Sequence, residues 1–152
     1  MMLPSRASAR ARTSTFARFP VGALLIAVLA SCRPMNTSEA HLFAETNEMR
    51  VAAGLPVLRQ HPELVDEARS WAQALAAQGS LAHSDPSSWR VRWSAVAENV
   101  GTAGSIETVV SSLAASPSHR ANMLSTKYTH MGIGTARGKD GRVYAVQLFW
   151  RG

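Results

Sequence analysis

A single cysteine, Cys32, occurs among 152 residues. No intramolecular disulfide can form, so the folded chain must be held by packing alone. No apolar run is long enough to cross a bilayer as a helix. The longest, Phe19 to Ala30, has twelve residues where about twenty are needed. Internal repeats and low-complexity tracts are absent, and so are the basic stripe and stacking motifs that nucleic-acid binding uses. These absences argue against a membrane-spanning protein, a repeat array and a nucleic-acid binder.

Charge of one sign is unevenly placed. The chain has 16 basic and 10 acidic residues, a net of +6. Arg6, Arg10, Arg12 and Arg18 all precede the apolar run, and residues 1–31 contain no acid, so the remainder carries only +2. A basic segment followed by a short apolar one is the pattern of a secretory signal peptide. The run ends in Leu29-Ala30-Ser31-Cys32, which resembles the bacterial lipobox, where the thiol is acylated and the chain is cut just before it. The expected organisation is a lipoprotein signal peptide over 1–31, a tether over 32–39 and a domain over 40–152. That domain would cross the inner membrane and stay lipid-anchored in the envelope through Cys32. Arg33 is not the aspartate associated with inner-membrane retention, which points to the outer membrane in a cell that has one. The alternatives are an ordinary signal peptide with a coincidental cysteine, or an uncleaved anchor.

Beyond the tether, Ser38 is a candidate cap for a helix bearing Leu42, Phe43, Thr46, Met49 and Ala53 on one side. Gly54 suits its end. Leu55 to Leu58 should be extended, because Pro56 lacks an amide proton and disfavours helix at Leu55. A second helix is expected from Pro62 to Gln78, stopped by Gly79, with Leu64, Val65, Ala68, Trp71, Ala72 and Leu75 facing the core. Ser80 to Gly104 shows no sustained period, and structureless segments of that length are often functional. Ser105 can cap a helix carrying Ile106, Val109, Val110 and Leu113, and Ser116-Pro117 can start another. The tail reads as a β-hairpin around Gly138-Lys139-Asp140-Gly141. Val143, Ala145, Gln147 and Phe149 point one way; Tyr144, Val146, Leu148 and Trp150 point the other. Both faces are apolar enough to be covered, as in a sheet between helices.

His83, Glu98 and His119 are the residues with chemistry to offer. Glu98 lies among small and apolar neighbours, and a carboxylate buried there needs a partner. Imidazoles can supply one, as hydrogen-bond donors or as fellow ligands of a metal. His41 and His61, near helix starts, are expected in solvent, and His130 at the surface or in packing. Trp89 and Trp93, interleaved with Arg90 and Arg92, either plug the loop onto the core or touch lipid headgroups or a glycan.

Five segments in this order resemble the CAP superfamily of cysteine-rich secretory proteins, venom antigens and plant pathogenesis-related proteins. They are Asn47–Leu58, Ala68–Ser84, Ala97–Gly101, Ser116–Leu124 and His130–Trp150. The resemblance implies an α+β fold, a three-layer α–β–α sandwich with a central antiparallel sheet. It also implies a surface cleft where His83, Glu98 and His119 converge as a ligand set for Zn2+ or another divalent cation. Asn99, Ser116 and Arg120 would support that cleft, Asn99 by satisfying loop backbone groups and Arg120 as a hydrogen-bonding brace. Many relatives place a second carboxylate in the cleft, and Ser116 stands in its place here. Without that acid, the expected role is non-enzymatic binding of a metal, small molecule, lipid or glycan. The alternatives are a hydrolase using Glu98, and a structural domain that the cluster only braces.

Overall fold

Pro62 and Gly79 bracket the longest helix as their backbone chemistry requires. Pro62 occupies the first turn, where its missing N–H costs nothing, and Gly79 takes φ +70° at the stop. In the computed structural model, which describes residues 33–152, the elements run α1 (Thr37–Ala52), β1 (Arg59–Gln60), α2 (Pro62–Gln78), a 3₁₀ turn (Pro86–Ser88), β2 (Ala95–Ala103), α3 (Ile106–Ala115), α4 (Pro117–Met123), β3 (His130–Arg137) and β4 (Val143–Arg151). The expected leader over 1–31 and Cys32 lie outside the described residues. No described helix is long and apolar enough to cross a membrane.

The strands form one sheet in the order β1-β3-β4-β2. β3, β4 and β2 pair antiparallel, and the two residues of β1 add in parallel beside His130 and Met131. Alternation along β4 sends its side chains to two separate cores. Tyr144, Val146 and Leu148 join Leu64, Ala68, Ala72 and Leu75 of α2. Val143, Ala145 and Phe149 join Leu42 of α1, Met123 of α4, and Val109 and Leu113 of α3. The result is the expected sandwich: α2 on one face, and α1, α3 and α4 on the other. α2 lies so close to β3 that a Cβ on Gly132 or Gly134 would collide with the backbone of Leu64 or Ala68.

Several expectations need correction. α1 is capped by Asn36, not Ser38. The Asn36 side chain accepts from the Glu39 amide while Glu39 accepts from the Asn36 amide, a reciprocal capping box. The helix therefore starts at Thr37, inside the expected tether, and the residues before it are docked: Arg33 bonds Asp66 and accepts from Gln60. The irregular stretch hides β2, whose residues are polar on both faces. His61, expected in solvent, is half-buried with its ring 4.8 Å from that of Trp150.

Candidate functional site

Trp71, midway along α2, ties the helix to the loop that follows it. Its indole N–H donates to the Ala82 carbonyl at 3.1 Å, so it is only partly a core residue. Trp89, after the 3₁₀ turn, is 7% exposed and donates to the Ser84 hydroxyl at 3.0 Å. The two indoles pin the short His83-Ser84 segment from either side. Of the tryptophan pair, Trp89 is therefore the plug, while Trp93 stays 46% exposed.

Glu98 sits mid-strand in β2, in the face turned towards α2. Its side chain is only 7% exposed, and burial at that level demands partners for both oxygens. Oε2 meets His83 Nδ1 at 2.6 Å and the Ser84 amide at 3.0 Å; Oε1 accepts from the Ser84 hydroxyl at 2.8 Å. A carboxylate has no proton to give, so Nδ1 is the donor and Nε2 keeps the free lone pair. The imidazole itself remains 63% exposed. Glu98 thus fixes the tautomer and the direction of a ring that faces solvent. Ser84 is the carboxylate's main anchor, and its place directly after His83 was the signal.

His119 arrives from the other helical layer. Asn99, next to Glu98 but on the opposite face of β2, is fully buried and donates to the His119 carbonyl at 3.1 Å and to Gln147 Oε1 at 3.0 Å. It accepts from Asn122 at 2.9 Å. Asn99 therefore holds α4 against the sheet, rather than satisfying loop backbone as expected. β2 is an edge strand, so residues from both layers can meet around it. Burial first, and then the influence of His83, lower the proton affinity of the His119 imidazole. It is accordingly neutral near pH 7.

The remaining support residues differ from expectation. Ser116 ends α3 and precedes α4, and its hydroxyl faces that of Ser118 at 3.3 Å without capping either helix. Arg120 is exposed and makes no side-chain hydrogen bond or ion pair among the described residues, so it is not the expected brace. The three-residue ligand set also needs revision. No group of three or more His, Cys, Asp or Glu side chains is arranged to hold a metal ion among the described residues. Glu98 has its oxygens engaged behind His83, which leaves the two imidazoles as the groups with lone pairs to offer. A cavity of about 160 Å³, lined by Trp71, Ser84, Ser88 and Trp89 among others, opens beside the segment. It is smaller than pockets that enclose drug-sized ligands, about 300 Å³ and upward.

Comparison with known proteins agrees with this architecture. The family model described as CAP, the cysteine-rich secretory protein family, matches residues 43–149. No curated protein matches the sequence. Among solved structures, an outer surface protein of Borrelia burgdorferi aligns with a TM-score of 0.70 at 20% identity, covering 78% of this chain and 96% of that one. An extracellular protein of Bacillus anthracis containing an SCP domain gives 0.67 at 19% identity, over 80% and 45% of the two chains. A cysteine-rich secretory protein of Staphylococcus aureus gives 0.59 at 26% identity, over 80% and 42%. The chain spans less than half the length of the last two.

Proposed function

This chain belongs to the cysteine-rich secretory protein family, CAP, and from that premise we propose that it is an exported envelope protein, lipid-anchored through Cys32, whose cleft binds a divalent metal or a small ligand without transforming it. The observation that supports this reading is the Glu98–His83 contact. A nearly buried carboxylate bonds Nδ1 of a 63%-exposed imidazole at 2.6 Å and so presents Nε2 as a directed lone pair. A carboxylate behind a histidine is the arrangement that orients and strengthens imidazole ligands of metals. A neutral His119 beside it supplies a second nitrogen.

His83 and His119 would hold the metal, with Glu98 orienting the first and Asn99 fixing the helix that carries the second. Bound there, zinc would offer open positions for water or a ligand donor. The chain supplies little else for turnover. The Ser84 hydroxyl donates to a carboxylate and accepts from an indole N–H, with no imidazole as partner, so it is not activated as a nucleophile. A second acid for proton transfer is missing at Ser116. The adjoining cavity admits a small polar group and is too small to enclose a lipid or glycan, so such a ligand would lie over the cleft.

The test is calorimetric titration of zinc into the full chain. One site is expected, weakened by about 100-fold or more in His83→Ala and in His119→Ala, since each removes one of two directed ligands. Uptake unchanged in both variants would overturn the reading. No uptake by the parent chain, together with a lowered melting temperature in both variants, would leave a brace in its place.

A further inference from the structure

A second cavity, of about 360 Å³, is lined by Arg50, Pro56, Val57, Arg59, Thr126, Tyr128, Thr129 and Arg151. It shares no residue with the histidine cleft. Three of its eight lining residues are arginines and none is an acid. None of the ion pairs among the described residues involves any of the three. Residues 1–32 contain no Asp or Glu, so no side-chain carboxylate from that segment can neutralise them.

The arginines differ in what they are free to do. Arg50 is 1% exposed. Its Nε donates to the Pro56 carbonyl at 2.8 Å, and its Nη1 donates to the carbonyls of Met123 and Ser125, each at 2.8 Å. Nη2 takes part in none of these bonds. The buried cation is held by carbonyl dipoles alone, and burial lowers its proton affinity. Arg59 is exposed and makes no side-chain hydrogen bond among the described residues. Arg151 makes only a long contact of 3.4 Å to the Thr126 carbonyl. Two exposed guanidinium groups, Arg59 with no side-chain bond among the described residues and Arg151 with one long one, thus line the same cavity as the buried Arg50. Like charges gathered around one concavity repel, and an anion removes that repulsion while accepting their N–H groups.

We infer that this cavity is an anion site for a phosphate group, held between the Arg59 and Arg151 forks over the Arg50 guanidinium. Phosphate has enough acceptor oxygens to meet several guanidinium forks at once, where a carboxylate has two. The Thr126 hydroxyl adds a neutral donor. Pro56, Val57 and the Tyr128 ring form an apolar wall for the esterified part of the ligand. The same chemistry serves a soluble phosphate ester or the headgroup of an anionic lipid.

Calorimetry with inorganic phosphate on the full chain at low salt, and sedimentation with phosphatidic-acid vesicles, test the inference and separate the two sources. Arg59→Gln and Arg151→Gln are each expected to weaken phosphate binding about tenfold, and the double variant to abolish it. Arg92→Gln, an equal loss of charge elsewhere, should leave binding unchanged. Binding of the free ion without vesicle retention assigns a soluble ester. Retention on vesicles that the double variant abolishes and Arg92→Gln preserves assigns the headgroup. The inference is overturned if neither probe binds, if the double variant binds as the parent does, or if Arg92→Gln weakens binding equally.

Discussion

Asn99 and Gln147 face each other across β2 and β4, both fully buried, with their side-chain amides bonded at 3.0 Å. From this pair the polar network runs outward in two directions. Gln147 Nε2 reaches Thr46 of α1 at 2.8 Å, and Asn99 reaches the His119 carbonyl and Asn122 of α4. The helical layer bearing one imidazole is therefore tied to the strand bearing Glu98 through an apolar core, where each lost partner is costly.

Asn99→Ala should strand three polar groups at once: Gln147 Oε1, the His119 carbonyl and the Asn122 amide. We expect a loss of about 3 kcal/mol in urea unfolding, at one to three kcal/mol for each group left unsatisfied and some relaxation. A loss below about 1 kcal/mol would show that the network does not hold α4.

Glu98→Gln keeps the shape and removes the charge that orders His83. An amide cannot accept at both positions, so the Nδ1–H proton is no longer demanded and the tautomer is freed. Zinc affinity should fall about 10- to 100-fold with the fold retained, read by calorimetry beside a thermal melt.

Gly134→Ala places a methyl group against the backbone of Ala68 and Arg69. Backbone cannot rotate aside as a side chain can, so α2 must lift from β3. Destabilisation of about 3 kcal/mol is expected, and a neutral substitution would contradict the close approach.

His130 gives a pH signature away from the cleft. It is packed against His61 and Trp150, with Arg59 close by and the Thr129 hydroxyl on Nδ1 at 2.9 Å. Burial first, then the charges of Arg59 and His61, push its pKa below the usual 6.5. The unfolded chain then binds this proton more readily, so the contribution to stability is present above pH 6.5 and falls as the pH drops below it. His130→Asn should flatten the slope of unfolding free energy between pH 7.5 and 5.5; an unchanged slope would exclude this residue.

Cys32→Ser should move the protein from the membrane fraction to the soluble one, if acylation is the anchor. Membrane retention of the variant would exclude lipid attachment through this thiol.

Much of the fold was legible because local chemistry decided it. The bounds of α2 follow from Pro62 and Gly79, and the hairpin from Gly138 to Gly141, whatever the rest of the chain does. The cap of α1 was misplaced at Ser38, although Asn36 and Glu39 already stood at the spacing of a reciprocal box. β2 was missed for a different reason. Its nine residues put Glu98 and Thr102 on one face and Asn99 and Gly101 on the other, so no alternation of apolar with polar betrays a strand. Those polar groups are tolerable only because partners distant in sequence meet them. Arg50 and Glu39 were invisible as buried charges on the same ground. Arg50 is satisfied by carbonyls more than 70 residues away, and Glu39 by Arg69, 30 residues on.

By itself the sequence determined the bounds of α2, which faces of the hairpin are buried, the basic residues and short apolar run ahead of Cys32, and, through its ordered motifs, the family. Each rests on residues near one another along the chain, whose backbone preferences and periodicity act without outside help. Only the tertiary structure decided that Glu98 bonds Nδ1 of His83 together with the amide and hydroxyl of Ser84, and that three arginines share a cavity lined by no carboxylate. Those outcomes depend on which oxygens and nitrogens are brought within about three ångströms of each other, and that is set by how the layers close around the edge of the sheet.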